Sequence, residues 1–149
     1  MNEVLAAGII KLTGWQNGLF LNPMCGAGTI AVEALLHATK IPPGVFGRSY
    51  GCEKWKDFDA DLYARVVEHS RTSEPEGLKI VASDIDQEAL SITRRNIREA
   101  KLSEFINVEK IDFGDYPLQQ EPATLVINPP YGERLTPADL EELYRSEEH

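Results

Sequence analysis

Residues 19–31 read Leu-Phe-Leu-Asn-Pro-Met-Cys-Gly-Ala-Gly-Thr-Ile-Ala. The apolar start, Leu19 to Leu21, is typical of a short buried strand, and strong helix formers with apolar spacing run from Ile30 to Thr39. Between them, residues 26–31 fit the pattern G-x-G-x-x-G/A, in which glycines let the backbone turn sharply and approach a ligand closely. The stretch therefore predicts a strand, a glycine loop and a helix whose free N-terminal amides suit a carboxylate or a phosphate.

The same alternation of strand and helix continues on both sides of this stretch. Helical spacing predicts three more helices, and short apolar runs predict three more strands; an ordered loop covers residues 41–57. The predicted helices are Val4 to Leu12, ending near Thr13-Gly14, Phe58 to Arg71 and Gln87 to Ala100, and the predicted strands are Lys79 to Ser83, Ile106 to Ile111 and Ala123 to Ile127. Four strands separated by helices predict an α/β fold with a parallel sheet flanked by helices, because parallel neighbours need crossover connections.

Composition excludes several classes of protein. With 149 residues, 42% of them hydrophobic, the chain is long enough for one compact domain. No run approaches the roughly 20 apolar residues of a membrane span, and the N-terminus lacks the pattern of a secretory signal, so a cytoplasmic protein without membrane contact is expected. Cys25, Cys52 and the three histidines show no metal-ligand spacing, which predicts no metal site and no disulfide. The net charge of -9 argues against a phosphate-binding face on this part of the protein.

The glycine loop suits either NAD or S-adenosylmethionine (SAM). In an NAD-binding fold an acidic ribose-binding residue follows about 20 residues after the loop, but here the next strand to end in an acid ends much later, at Asp84. This spacing disfavours NAD. We expect Asp84 to accept hydrogen bonds from both ribose hydroxyls, and Asp86 to cap the following helix. After the third strand, Asp112 is a candidate acceptor for an adenine amino group, and Phe113 a candidate cover for the ring.

The most specific motif is Asn128-Pro129-Pro130-Tyr131, directly after the fourth apolar strand. Its prolines stiffen the backbone and remove amide donors, so the loop presents carbonyl oxygens to whatever binds there. The Asn128 side-chain oxygen and the Pro129 carbonyl can accept the two protons of an exocyclic amine, leaving the nitrogen lone pair directed at a methyl donor. Tyr131 then offers a flat face for a flipped base. The motif predicts methyl transfer to a planar nitrogen at the carboxyl end of the sheet.

Five ordered motifs make the chain resemble the THUMP-associated RNA methylase family, whose best-known type is the bacterial 23S rRNA guanine-N2 methyltransferase. The matching stretches are Leu5 to Gly8, Pro23 to Ile30, Tyr50 to Trp55, Ser83 to Asp86 and Asn128 to Leu135. The resemblance implies a Rossmann-like SAM-dependent methyltransferase fold, methyl transfer to N2 of a guanine, and 23S ribosomal RNA as the partner. It also implies a set of cofactor contacts in the glycine loop and after the second and third strands: Asn22, Pro23, Cys25, Gly26, Gly28, Thr29, Asp84, Ile85, Asp112 and Phe113.

The chain departs from this family in two ways. Position 22 is Asn where the family usually has Asp, so a negative charge facing the cationic cofactor is lost. Family members also carry a THUMP domain before this region and three strands after the Asn-Pro-Pro-Tyr loop. Residues 1–149 are therefore expected to be a partial methyltransferase domain, truncated after the fourth strand, with the RNA gripped mainly by absent domains. Methylation of adenine in DNA, methylation of a protein glutamine, and cofactor binding without activity remain the alternatives.

Overall fold

The computed structural model describes residues 1–42, 49–70, 77–116 and 121–129. The described residues form four α-helices and four strands, with two short 3₁₀ turns at Gly51–Lys54 and Phe113–Asp115. In chain order the elements are α1 (Glu3–Thr13), β1 (Leu19–Asn22), α2 (Thr29–Thr39), α3 (Ala60–Ser70), β2 (Lys79–Asp84), α4 (Gln87–Glu99), β3 (Ile106–Lys110) and β4 (Ala123–Leu125).

The four described strands form one parallel sheet in the order β3-β2-β1-β4. The central strand β1 is buried along its whole length and pairs on both sides, with Leu19 opposite Lys79 of β2 and Ala123 of β4. On the far side of β2, Ile80 pairs with Ile106 of β3. The predicted α/β fold with a Rossmann-like parallel sheet is confirmed.

The helices begin and end at residues whose chemistry explains the boundary. Asn2 caps α1 by accepting a hydrogen bond from the Val4 amide at 2.7 Å, and Gly14 ends the helix in a left-handed conformation with a φ of 68°. Asp86 caps α4 by accepting from the Glu88 amide at 2.9 Å, as its position in the sequence predicted. Each cap satisfies a backbone group that the helix itself leaves unpaired.

The hydrophobic core lies between the sheet and the helices. Helix α1 packs on α2, α2 on β1 and β2, and α4 on β2 and β3. At its centre the fully buried Phe20 contacts Trp15, with ring centroids 4.8 Å apart. Leu35 from α2 and Leu90 from α4 are also fully buried. This packing fixes the carboxyl ends of the strands, where the predicted site residues lie.

Two elements differ from their predicted bounds by two residues at one end, whereas the other bounds agree to within one residue. Helix α3 begins at Ala60 rather than Phe58, because the Asp59 carboxylate accepts a hydrogen bond from the Leu62 amide at 2.8 Å and so acts as a cap. Strand β4 ends at Leu125 rather than Ile127: the Val126 amide still bonds to the Leu21 carbonyl at 2.9 Å, but the Val126 carbonyl accepts from a side chain instead of a strand. In the parts of the chain that the structure describes, no helix has the length and apolar character needed to cross a membrane.

Candidate functional site

The carboxyl ends of the four strands meet at one edge of the sheet. Strands β1, β2, β3 and β4 end there at Asn22, Asp84, Lys110 and Leu125. Each of the predicted site segments follows one of these ends directly, so the parallel topology gathers them in one region. This edge is where open α/β sheets bind their ligands.

The glycine loop connects β1 to α2 through a series of left-handed residues. Met24, Gly26 and Gly28 have φ values of 52°, 57° and 77°. The Cys25 amide donates to the Ser83 carbonyl at 2.9 Å, which ties the loop to β2, and the Gly28 amide donates to the Cys25 carbonyl at 2.9 Å. Helix α2 then starts at Thr29 with Gly28 as its cap and no side-chain hydrogen bond there. The amides of its first turn are therefore available to a carboxylate.

Asp84 holds the glycine loop in place, a role that the sequence did not reveal. One carboxylate oxygen accepts from the Gly26 amide at 2.9 Å, and the other accepts from the Asp86 amide at 3.0 Å. A carboxylate offers about four lone-pair positions, so both oxygens keep capacity for further donors such as ribose hydroxyls. The predicted ribose contact of Asp84 thus fits this geometry and stays a prediction, as does that of its exposed neighbour Ile85.

Two α4 residues absent from the predicted site secure the loop from the other side. Thr93 donates from its hydroxyl to the Gly26 carbonyl at 2.7 Å, and Asn96 donates from its side-chain amide to the Ala27 carbonyl at 2.9 Å. The Thr93 methyl group also limits the loop, because a Cβ added to Gly28 would lie 2.8 Å from it. The sequence offered one signal for this role: Thr93 lies at helical spacing between Leu90 and Ile97, where an apolar residue is usual, and the structure shows that it is fully buried.

Cys25 is a buried neutral thiol within this loop. Burial raises its pKa to about 11, and the Thr93 hydroxyl, 3.7 Å from the sulfur, opposes the rise only in part. A thiol with such a pKa stays protonated at neutral pH and is a poor nucleophile. Cys25 is itself one of the predicted cofactor contacts, which stays a prediction, and a protonated thiol would act there through packing and shape.

Asn22 joins the glycine-loop strand to the strand that leads to the Asn-Pro-Pro segment. The side chain is fully buried, and its amide nitrogen donates to the Val126 carbonyl at 2.8 Å. An ionised aspartate at this position would lack that donor. The Asn22 side-chain oxygen is buried and has no hydrogen-bond partner among the described residues, which makes it a candidate acceptor for a ligand donor such as an ammonium group. Pro23 follows it and is also fully buried.

Asn128 and Pro129 follow β4 and are both partly buried. They stand two and three residues after Val126, which the Asn22 side chain holds. The other two predicted catalytic residues, Pro130 and Tyr131, lie outside the described residues.

The segment after β3 carries the predicted adenine contacts. Asp112 caps the short turn Phe113–Asp115 by accepting from the Gly114 amide at 3.0 Å. The partly buried Phe113 ring lies 6.5 Å from the ring of Tyr116. Burial raises the pKa of Tyr116, and the nearby Ser83 hydroxyl opposes that rise in part. Ser83 Oγ is buried and forms no full hydrogen bond with any described residue. The aromatic rings of this segment and the Asp112 carboxylate, as acceptor, suit a planar, nitrogen-rich ring.

Metal chemistry has no basis in the described ranges. Within residues 1–42, 49–70, 77–116 and 121–129, no three His, Cys, Asp or Glu side chains come together in a way that could hold an ion. The groups that the topology gathers are instead hydrogen-bond acceptors and helix amides around a glycine loop.

A family model described as "RMKL-like, methyltransferase domain" matches residues 1–147. The chain belongs to this family. The match covers all four strands and the Asn-Pro-Pro-Tyr segment. The motif-based resemblance to RNA methylases is thereby confirmed at the level of the family.

Relatives of the RMKL-like domain are longer proteins. A ribosomal RNA large subunit methyltransferase K/L of Psychromonas ingrahamii is 37% identical over 143 residues, which are 91% of this chain and 19% of that protein. A protein of the same name from Methylococcus capsulatus is 34% identical over 152 residues, covering 96% of this chain and 20% of the relative. The chain thus spans about a fifth of the length of these relatives.

Solved structures share the fold of the RMKL-like domain. SMU.472, a candidate methyltransferase crystallised with S-adenosylhomocysteine (SAH), superposes with a TM-score of 0.88 at 32% identity, over 97% of this chain and 39% of its own. A protein of Listeria monocytogenes assigned as an N6-adenine-specific DNA methylase superposes with a TM-score of 0.85 at 32% identity, over 98% and 38% of the two chains.

Proposed function

We propose that this chain is the cofactor-binding part of a SAM-dependent RNA methyltransferase that modifies the exocyclic N2 of a guanine in 23S ribosomal RNA. The observation that carries the proposal is the 2.8 Å hydrogen bond from the Asn22 side chain to the Val126 carbonyl. It couples the strand leading into the glycine loop to the strand leading into Asn128-Pro129. A methyl donor bound at the loop and an amine bound at Asn128 would therefore be held in a fixed relation.

The residues around the loop fit SAM by their chemistry. The first-turn amides of α2 suit the cofactor carboxylate, the unpartnered oxygen of Asn22 suits its ammonium group, and Asp84 suits the ribose. Asp112 and Phe113 would contact the adenine. When bound, SAM supplies an electrophilic methyl group. SMU.472, which was crystallised with SAH, shares this fold.

The Asn-Pro-Pro segment would orient the amine that accepts the methyl group. The Asn128 side-chain oxygen and the Pro129 carbonyl accept one N–H each, which directs the nitrogen lone pair away from them and raises its electron density. Pro129 and Pro130 have no amide hydrogen, so no donor competes for the amine. Tyr131 would stack on the flipped base. As the product forms, these acceptors stabilise the positive charge that develops on the nitrogen before it loses a proton.

The relatives named as ribosomal RNA methyltransferases support RNA as the substrate. The structural neighbour assigned as a DNA adenine methylase supports the rival substrate, because the amino group of adenine fits the same pair of acceptors. A glutamine side-chain amide is a third planar nitrogen that would fit. A SAM-binding unit without activity is the remaining alternative, since Asn22 lacks the charge of the usual aspartate.

The experiment that tests the proposal supplies the chain with SAM labelled in its methyl group. Deproteinised 23S rRNA, genomic DNA and a glutamine-containing peptide are offered separately, and the RNA and DNA are then digested to nucleosides. We expect label only in the RNA sample, in N2-methylguanosine. Label in N6-methyl-2′-deoxyadenosine from DNA, or in the peptide, would replace the proposed substrate with the corresponding rival.

A pair of variants separates catalysis from folding and cofactor binding. Asn128→Ala should reduce methyl transfer by about 100-fold or more, as loss of one preorganised group does in other enzymes, and should leave the SAM Kd nearly unchanged. Asn107→Ala, at an exposed position in β3, is the matched control and should leave both quantities unchanged. Unchanged turnover in Asn128→Ala would remove the proposed role of the Asn-Pro-Pro segment.

A further inference from the structure

The exposed side of α4 carries a basic stripe that the proposed methyl transfer does not use. Buried Leu90, Thr93 and Ile97 occupy one side of the helix. The exposed face next to it presents side chains that recur every three or four residues and so lie along one line. This arginine stripe consists of Gln87, Ser91, Arg94, Arg95 and Arg98. Together with Ile92 these residues line a shallow groove of about 340 Å³.

Two of the three arginines have no partner among the described residues. Arg94 donates to the Val108 carbonyl at 3.1 Å, which fixes its guanidinium over β3. Arg95 and Arg98 are exposed and form no ion pair or side-chain hydrogen bond with any residue in the part of the chain that the structure describes. The acidic residues Glu88 and Glu99 flank the stripe on its Arg95 side, but neither comes within ion-pair distance of an arginine. The charges therefore remain available to an anion.

The stripe is positively charged, whereas the chain as a whole is negatively charged. Asp and Glu outnumber Lys and Arg by 24 to 15, giving a net charge of -9. A polyanion is repelled by such a surface overall, so it binds only where positive charge is concentrated. Guanidinium groups are also the side chains best matched to phosphate, since they donate in a planar fork.

The stripe starts beside the proposed active site. Helix α4 follows the end of β2 by way of Asp86, so Gln87 lies near the carboxyl edge of the sheet where Asp84 holds the glycine loop. With a rise of 1.5 Å per residue, Arg98 lies roughly 16 Å further along the helix. A strand of nucleic acid that reaches the carboxyl edge can therefore place several successive phosphates on this face.

We infer that the arginine stripe of α4 binds backbone phosphates of the RNA substrate next to the methylated guanine. The inference rests on the proposed function for its choice of RNA. It places part of the RNA grip on this domain, whereas the sequence predicted that other domains grip the RNA mainly. Gln87 and Ser91 add neutral hydrogen-bond donors between the arginines and the active site.

The test measures binding of a fluorescein-labelled single-stranded RNA of about 20 nucleotides by fluorescence anisotropy over a range of KCl concentrations. The stripe variant is R95Q/R98Q, which leaves Arg94 and its bond to Val108 in place. The matched control is K11Q/R65Q, which removes two exposed positive charges from α1 and α3 and so gives the same net charge. Circular dichroism checks that all three proteins are folded.

Each lost phosphate contact lowers the slope of log Kd against log salt by about 0.7 for a single strand, so R95Q/R98Q should lower it by about 1.4 and weaken binding roughly tenfold at low salt. K11Q/R65Q should keep the slope of the unmodified chain. Equal slopes in the two variants, or no RNA binding by the unmodified chain, would overturn the inference.

A parallel measurement of methyl transfer separates this inference from the proposed function. If R95Q/R98Q and the unmodified chain methylate RNA with the same kcat/KM, the proposed function is retained and the inference about the stripe is refuted. If RNA binds through the stripe but is never methylated, while DNA is methylated, the proposed substrate is refuted and the stripe is retained as a binding surface.

Discussion

The contact between Gly28 and Thr93 makes the glycine loop intolerant of even one methyl group. A Cβ at position 28 would lie 2.8 Å from the Thr93 methyl carbon, and the φ of 77° is unfavourable for any side chain. Because Thr93 also bonds to the Gly26 carbonyl, movement of this threonine would disturb the loop that is proposed to hold the cofactor. The two residues act as a single packing unit.

Gly28→Ala should therefore lower the free energy of unfolding by about 1–3 kcal/mol and weaken SAM binding at least tenfold. Urea denaturation and calorimetric titration measure the two effects. Thr93→Ser removes the clashing methyl group and keeps the hydroxyl, so the double variant should recover part of the loss. A double variant no better than Gly28→Ala alone would show that backbone strain, and not the methyl contact, controls this position.

Gly8→Ala is the matched control for that substitution. Gly8 is an exposed residue within α1, and a Cβ there meets no atom within 4 Å. Alanine stabilises a helix interior by about 0.8–1 kcal/mol relative to glycine, so this variant should be more stable than the unmodified chain and bind SAM equally well.

Cys25 and Cys52 should differ sharply in reactivity. Burial raises the pKa of Cys25 to about 11, whereas Cys52 is only partly buried. We expect iodoacetamide at pH 8 to modify Cys52 in the folded chain and Cys25 only after unfolding in urea, as read by peptide mass spectrometry. Rapid alkylation of Cys25 in the folded chain would contradict its assignment as a packing residue.

The same thiol gives a pH dependence of stability with a definite sign. Its pKa rises from 9.0 to about 11 on folding, so the folded state holds the proton more tightly. This contribution is fully present below pH 9 and is lost as the pH rises to about 11. In Cys25→Ala the loss of stability over this interval should be smaller than in the unmodified chain, as measured by urea midpoints at successive pH values.

At the scale of elements, the link between β1 and β4 depends on one side chain beyond the strand ladder. The Asn22 amide donates to the Val126 carbonyl where the regular pairing of β4 has ended. Both residues are buried, so removing the donor leaves an unpaired buried carbonyl. Such a loss costs about 1–3 kcal/mol.

Asn22→Ala should lower the free energy of unfolding by that amount. It should also weaken SAM binding, because the proposed acceptor for the cofactor ammonium group is lost, and lower kcat as well, because Asn128 loses its anchor. Urea denaturation and steady-state kinetics measure this. Asn107→Ala in β3, whose side chain bonds to Glu109 at the surface, should change neither. Equal stability of Asn22→Ala and the unmodified chain would show that Val126 finds another donor.

Sequence pattern was sufficient for the elements but not for the bonds that join them. Short apolar runs predicted all four strands, and the alternation with predicted helices indicated their parallel arrangement, because parallel neighbours need crossover connections. It could not show that Thr93 and Asn96 bind the glycine loop, because those contacts join residues far apart along the chain. Thr93 and Gly26, for example, are 67 positions apart. Nor could it show that Asp84 holds the loop, which needs the register of β2 against β1.

At the scale of the whole molecule, a ligand that binds only the folded chain should stabilise it. SAH at 100 times its Kd should add about 2.7 kcal/mol to the free energy of unfolding and raise the melting temperature, whereas NAD should have no effect. Differential scanning fluorimetry tests this directly. Stabilisation by NAD instead of SAH would overturn the choice of cofactor.

The sheet order β3-β2-β1-β4 has a consequence for how the chain reaches its native state. Of the four described strands, β1 comes first along the chain and yet lies inside the sheet: Leu19 must find Lys79 on one side and Ala123 on the other. At about 5–20 residues per second, the ribosome needs roughly 3–12 s to make the next 60 residues. During that time an apolar Leu-Phe-Leu strand has both edges open. Folding should accordingly be slow for a domain of this size and should benefit from a chaperone that shields β1 until β2 emerges.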